Sequence, residues 1–273
     1  MAGEAEKRIP RMGYGTWARL DSEGVEAMLA ALEVGYRHLD TAQSYGTEPM
    51  VGEALRRCGL PRQDVFVTTK IDTANFGPGK LLPSLRHSLD QLGVDTVDLT
   101  LIHWPSPNGE LALPVYLDQL VEAQDAGLTR LIGVSNFTTA LLDEAERRLG
   151  PGRIATNQIE LNPLFKNKKV AVQCQRRDIL VTCYLPIAHG RLAGNPVLQS
   201  IGARYGATVE QVAIAWELAK GYAAIPTSSR RERIASNFAA TKLSLSPDDI
   251  AAIDALADGP RSIAPSWGPE WDA

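Results

Sequence analysis

Apolar positions along the chain follow two alternating patterns. Short continuous runs, among them "VFVTTK", "VDLTLIH", "RLIGVS", "LVTCY" and "AAIP", end near Gly15-Thr16, Asp40, Lys70, His103, Ser135, Gln158, Tyr184 and Pro226. Such runs suit parallel strands buried on both faces. Between them the spacing becomes helical. Val25, Met28, Leu29 and Leu32 occupy i, i+3, i+4 and i+7, with Ser22 as the expected N-cap and Gly35 beyond the end. Val51, Ala54, Leu55 and Cys58 repeat that spacing and stop at Gly59. Val209, Val212, Ala213 and Trp216 do so behind a Thr208-x-x-Gln211 capping box. A last helix is expected from Ser246-Pro247, with Asp248 and Asp249 in the turn where the helix dipole favours acids.

Eight strand–helix repeats in about 250 residues predict an α/β fold, a (β/α)8 TIM barrel with a C-terminal helix and tail. No linker or charge block divides the sequence, so residues 1–273 read as a single barrel domain. The competing architecture, a doubly wound sheet, usually carries G-x-G-x-x-G after its first strand, and that motif is missing. "GPGK" at Gly77–Lys80 lacks P-loop spacing and reads as the cap of the third helix.

Composition narrows the partners. The 273 residues are 44% hydrophobic with a formal net charge of −4, which argues against a nucleic-acid-binding surface. No apolar run approaches the ~20 residues of a membrane helix, and the opening "MAGEAEKRIP" lacks a secretory hydrophobic segment. Cys58, Cys174 and Cys183, odd in number and widely spaced, suggest neither a disulfide framework nor a metal site. A cytoplasmic monomer is expected.

Barrel enzymes assemble their chemistry at the C-terminal ends of strands. Those ends carry Asp40, Lys70 and His103 on strands two to four, then Ser135-Asn136, Gln158 and Tyr184, with Tyr45 in the loop after strand two. Each residue alone has an ordinary structural reading as a cap, a solvated charge or a packed ring. Their joint occurrence on one barrel face reverses that balance. A phenol releases its proton reluctantly near neutrality. A neighbouring ammonium lowers its pKa, a carboxylate keeps the ammonium charged, and an imidazole can orient a carbonyl. Tyr45, Lys70, Asp40 and His103 therefore read as a proton donor tuned toward neutrality and aimed at a carbonyl oxygen. The matching hydride must come from a cofactor. Ser135, Asn136 and Gln158 offer donors and acceptors for a nicotinamide carboxamide, and Tyr184 offers a ring face. In "IPTSSRRERIASN", Ser228, Arg230, Arg231 and Arg233 crowd a helix start after the eighth strand, where an anion such as the NADP 2′-phosphate would relieve the clash with the dipole. For Arg231 a solvated charge run is an equal alternative.

The motifs "GYGTW", "GYRHLDTAQSYG", "VTTK", "LIHWP", "GVSNF", "NQIELNP" and "IPTSSRRERIASN" occur in the order seen in the aldo-keto reductase family, which the chain resembles over nearly its whole length. The segments "SPNGE" and "APSWGPEWD" look like the prokaryotic 2,5-diketo-D-gluconic acid reductases of B type. The resemblance implies Tyr45 as general acid, Lys70 and Asp40 as its tuning pair, and His103 as the substrate-orienting residue. It places Thr16, Ser135, Asn136, Gln158, Tyr184, Thr227, Ser228, Arg230, Arg233 and Asn237 at the cofactor. Trp17 and Trp104, with His103, would line the substrate pocket. NADPH is the implied cofactor, with NADH possible because Thr227 stands where many members carry lysine. "Tyr184-Leu185-Pro186-Ile187" replaces the usual Tyr-Ser-Pro-Leu. The expected activity is reduction of small aldehydes, α-dicarbonyls or keto sugars. The alternatives are an NADP-binding structural barrel without catalysis and, lower, a Schiff-base enzyme using Lys70 as nucleophile.

Overall fold

The computed structural model describes residues 9–272; the start of the chain, and with it most of the secretory-segment reading, lies outside them. Eight parallel strands pair in sequence order: β1 (Tyr14–Gly15), β2 (His38–Asp40), β3 (Phe66–Ile71), β4 (Val97–Ile102), β5 (Thr129–Ser135), β6 (Ile154–Glu160), β7 (Leu180–Tyr184) and β8 (Ala223–Ala224). Backbone bonds join the last strand to the first. Gly13 N–H donates to Ala224 O at 2.9 Å, Ala224 N–H to Arg11 O at 2.8 Å, and Gly15 N–H to Pro226 O at 3.1 Å. The sheet is thereby closed into the expected barrel. Gly15 is needed at this seam, because a Cβ there would lie 2.9 Å from the Ile225 carbonyl oxygen.

Helices α1 (Ser22–Val34), α2 (Glu48–Arg57), α3 (Leu81–Leu92), α4 (Leu113–Asp125), α5 (Thr139–Leu149) and α6 (Lys168–Arg176) follow the first six strands. Both α7 (Pro196–Tyr205) and α8 (Val209–Ala219) lie between β7 and β8, and α9 (Arg231–Ala239) and α10 (Pro247–Asp254) close the chain. The capping box at Thr208-Gln211 forms as its sequence predicts, and Ser246 and Asp249 form a second one at the expected start of α10. The α1 cap does not. Asp21 takes that position in an extended conformation and accepts the Gly24 N–H at 3.0 Å, while Ser22 becomes the first helical residue. Asp and Ser are close to equivalent caps, so adjacent candidates are hard to separate in a sequence. Helix α7 is capped by Asn195, whose side chain accepts from the Val197 and Leu198 N–H groups.

Side chains alternate across each strand, so residues two apart share a face. Phe66, Leu99 and Leu101 form a small apolar cluster with Ile9. Above it, His38 Nε2 meets Thr68 Oγ1 at 2.8 Å, and Thr156 meets Thr182 at 2.8 Å. Continuing two residues further on each strand reaches Asp40, Lys70, His103, Gln158 and Tyr184. The large hydrophobic core lies between barrel and helices and includes Val67, Ile71, Leu85, Leu117, Val134, Val181 and Trp216. The apolar layers therefore leave one face of the barrel for polar chemistry. Among the described residues, no helix is long and apolar enough to cross a membrane.

Candidate active site

The top layer of the barrel is joined by one hydrogen-bond network. Lys70 is completely buried, and its ammonium has three protons to place. One goes to Asp40 Oδ1, one to Thr41 O at 2.8 Å, and one to the Tyr45 hydroxyl at 3.4 Å. The Nζ also lies 4.8 Å from the Tyr45 ring centroid. The second oxygen of Asp40 accepts the Gln158 amide N–H at 2.7 Å, reaching from β6 across the barrel to β2. A buried carboxylate is costly unless its lone pairs are used; here both oxygens are bonded. Thr16 adds a hydroxyl bond to the Asp40 carbonyl at 3.0 Å. The short turn Gln43–Tyr45, ended by Gly46 in left-handed backbone (φ 66°), swings the Tyr45 ring over this layer.

His103 packs edge-on against Tyr45, with ring centroids 5.3 Å apart, and its Nδ1 meets Ser44 Oγ at 3.2 Å. Asn136 adopts a left-handed φ of 62°, a conformation asparagine tolerates better than most residues. Its amide donates to His103 O and to Ser135 Oγ, both at 3.1 Å, and its oxygen accepts the Tyr184 hydroxyl at 2.7 Å. Ser135 Oγ donates in turn to Gln158 O at 2.8 Å. The trio read as carboxamide partners is thus heavily committed to one another. The consequence is that the Tyr184 ring is fixed at the cavity wall.

Electrostatics refine one expectation. Burial raises the Tyr45 phenol above its ordinary pKa, and the opposing pull of Lys70 does not cancel that push; the Asp40 charge adds to it. The phenol is therefore not tuned toward neutrality in this cleft, because desolvation outweighs the ammonium. For Lys70, burial alone would lower the pKa, but Asp40 and Tyr45 together reverse the direction and raise it. That direction opposes a nucleophilic amine. Burial lowers His103 to about 3, and Lys70 pushes the same way. The imidazole is neutral at physiological pH.

One cavity of about 990 Å³ runs from this layer to the start of α9. Its lining contains Thr16, Trp17, Asp40, Tyr45, His103 and Trp104 at one end, Ser135, Asn136, Gln158 and Tyr184 along the wall, and Thr227, Ser228, Arg233 and Asn237 at the far end. Arg230 is absent from the lining and stands at the exposed N-cap of α9. Arg231 pairs instead with Glu33 on α1, which favours its solvated reading. Between wall and far end, Leu185, Ala188 and His189 all take left-handed backbone, a conformation costly enough to mark a constrained loop. Arg19, Ser44 and Ile263 also line the cavity. None of them ends a strand, so the pattern of strand ends does not point to them.

The elongated cavity suits a dinucleotide in shape and in donor set. Thr227, Ser228 and Asn237 offer hydroxyl and amide donors beside the Arg233 guanidinium at the far end of the same space.

Residues 11–258 match the aldo/keto reductase family model. The chain is 44% identical over 265 residues to a methylglyoxal reductase DkgB of Escherichia coli O157:H7, covering 97% of this chain and 99% of that protein. It is 40% identical to an aldo-keto reductase of Mycobacterium marinum, over 94% and 90% of the two chains. Among solved structures, one assigned as a 2,5-diketo-D-gluconic acid reductase B superposes with a TM-score of 0.92 at 37% identity, over 97% and 94% of the two chains. MGS-M4, an aldo-keto reductase enzyme from a Medee basin deep-sea metagenome library, gives 0.90 at 31% identity over 97% of each. Family match, relatives and barrel agree: this chain belongs to the aldo/keto reductase family.

Proposed function

We propose that this single barrel domain reduces small aldehydes, α-dicarbonyls such as methylglyoxal, or keto sugars such as 2,5-diketo-D-gluconate to alcohols, with NADPH preferred over NADH. The family uses nicotinamide cofactors; the NADPH preference rests on Ser228, Arg233 and Asn237 at the far end of the cavity. When bound, the nicotinamide supplies the hydride that no side chain can provide.

The protein's own part begins with orientation. In the tautomer where the Ser44 hydroxyl donates to His103 Nδ1, Nε2 carries the proton and donates it toward a carbonyl oxygen. Tyr45 donates a second hydrogen bond to the same oxygen. These two donors polarise the carbonyl, and the phenol proton passes to the oxygen as negative charge builds there. The phenolate left behind is held by the Lys70 ammonium, 3.4 Å from the hydroxyl oxygen. Asp40 keeps that ammonium charged and aimed. Solvent then returns the proton to Tyr45.

The single observation carrying this reading is the fully buried Lys70 ammonium bonded both to Asp40 and to the Tyr45 hydroxyl at the cavity floor. A cofactor-binding barrel without catalysis has no need of such an arrangement. Tyr45→Phe tests it directly. NADPH binding, read by fluorescence titration, stays within about twofold, while methylglyoxal turnover falls by roughly 10²–10⁴, the range of general acid catalysis. Retained turnover would overturn the assignment of Tyr45.

A further inference from the structure

Glu160 ends β6, one inward position beyond Gln158, with no solvent exposure. It does not line the main cavity. Its oxygens instead accept two backbone N–H groups from the C-terminal tail, one of them shared between both oxygens. Ser262 donates to Oε1 at 2.8 Å and Oε2 at 3.0 Å, and Ile263 donates to Oε2 at 2.9 Å. Hydrogen bonds to a charged acceptor are about twice as strong as neutral ones. The carboxylate thus grips a segment about a hundred residues later in the chain.

What it grips matters for the cleft. Ile263 lines the cavity, as does Trp104. Trp267 and Trp271 pack edge-on against Trp104, with centroids 5.2 and 6.1 Å away. The tail from 257 to 272 has neither helix nor strand, so it has no hydrogen-bond ladder of its own to hold this position. Other anchors exist: Gly259 N–H to Leu164 O, Asn108 N–H to Trp267 O, and Thr139 to Asp272. Leu164, Asn108 and Thr139 are all partly exposed. Glu160 is the fully buried one, and it acts directly on Ile263.

We propose that Glu160 is a positioning residue that sets substrate size selectivity, by pinning the tail so that Ile263, and Trp104 backed by Trp267 and Trp271, form a fixed apolar wall. The inference rests on the carbonyl-reductase reading above. A carbonyl bearing an aromatic or long apolar group reaches this wall, whereas a three-carbon dicarbonyl does not.

Glu160→Gln keeps the shape but replaces one acceptor oxygen with an NH2 group facing a backbone N–H. Ser262→Pro removes a donor from the other side and leaves β6 untouched, which covers the case where the first variant folds poorly; Ser262→Ala, which keeps the N–H and loses only the Arg191 contact to the hydroxyl, serves as its control and should behave as wild type. For Glu160→Gln or Ser262→Pro, KM for phenylglyoxal rises roughly tenfold, about the worth of one charged hydrogen bond. Its kcat, both constants for methylglyoxal and the NADPH Kd stay within about twofold. Hydrogen exchange at Ile263 accelerates in parallel. Equal loss on both substrates, or no change on either, overturns the proposal. Should the wild type reduce neither compound, the functional reading fails instead, and unchanged exchange at Ile263 would then independently refute the clamp.

Discussion

Glu217 lies on the inner side of α8 with no solvent exposure, and neither carboxyl oxygen has a hydrogen-bond partner. Burial pushes its pKa well above the carboxylate range. Cys183 on β7 is close enough for its own thiol, also raised by burial, to feel the acid. The unfolded chain releases this proton above its ordinary pKa of about 4.3. The folded protein retains it. The unfolded state therefore binds fewer protons as pH rises, and stability falls between the unfolded and folded pKa values. The cost grows by about 1.4 kcal/mol for each pH unit between the unfolded and folded pKa values. An unpaired buried polar group adds about 1–3 kcal/mol at any pH. Glu217→Met removes both penalties with a side chain flexible enough to fill the same space.

Urea unfolding at pH 5, 7 and 8 reads this out, with the tryptophans as probes. The Met variant is expected to gain about 1–3 kcal/mol from removal of the unpaired group, with a larger gain at pH 7 than at pH 5. Carbonyl reduction should be unaffected, since Glu217 does not line the cavity. A gain of equal size at pH 5 and pH 8 would show that Glu217 does not hold its proton in the fold. A Met variant less stable at every pH would mean that the acid has partners outweighing its burial.

Two further outcomes follow from the cleft. Because burial and Lys70 hold His103 near a pKa of about 3, kcat/KM for reduction should show no His103 inflection between pH 5 and 8; a step near pH 6.5 that disappears in His103→Asn would contradict a neutral imidazole. Arg233→Gln should weaken NADPH binding by roughly tenfold, the loss of one charge-assisted contact, and leave NADH binding unchanged; equal losses for both cofactors would move Arg233 away from the 2′-phosphate.

The barrel was legible because its strands are short, apolar and bounded by turn residues. The site was legible because strand parity carries Phe66 and Thr68 to Lys70, and Leu99 and Leu101 to His103, on one face. What stayed hidden depended on contacts distant in sequence. Glu160 sits inside a quoted motif, yet its partners are 102 and 103 residues away. Arg230 and Arg233 look alike in the text, but the start of α9 turns only Arg233 toward the cavity. Asp21 and Ser22 compete for one cap, and which wins depends on where the chain leaves the barrel. The left-handed backbone of Leu185, Ala188 and His189 had no glycine to announce it.

The direction of the Tyr45 shift shows how burial changes a rule that sequence proximity suggests. An ammonium beside a phenol lowers its pKa only if the pair keeps enough solvation. Here the phenol is packed deeply enough that its neutral form gains more from desolvation than the phenolate gains from Lys70. Nothing in the proposed reaction requires a resting phenolate. A general acid must hold its proton until negative charge builds on the carbonyl oxygen, and an upward shift ensures that it does. Lys70 then contributes when that proton has left, because its donor to the Tyr45 oxygen stabilises the phenolate more than the phenol. The buried Lys70–Asp40 pair thus has a transition-state role: it is arranged in advance for a charge that the ground state does not carry.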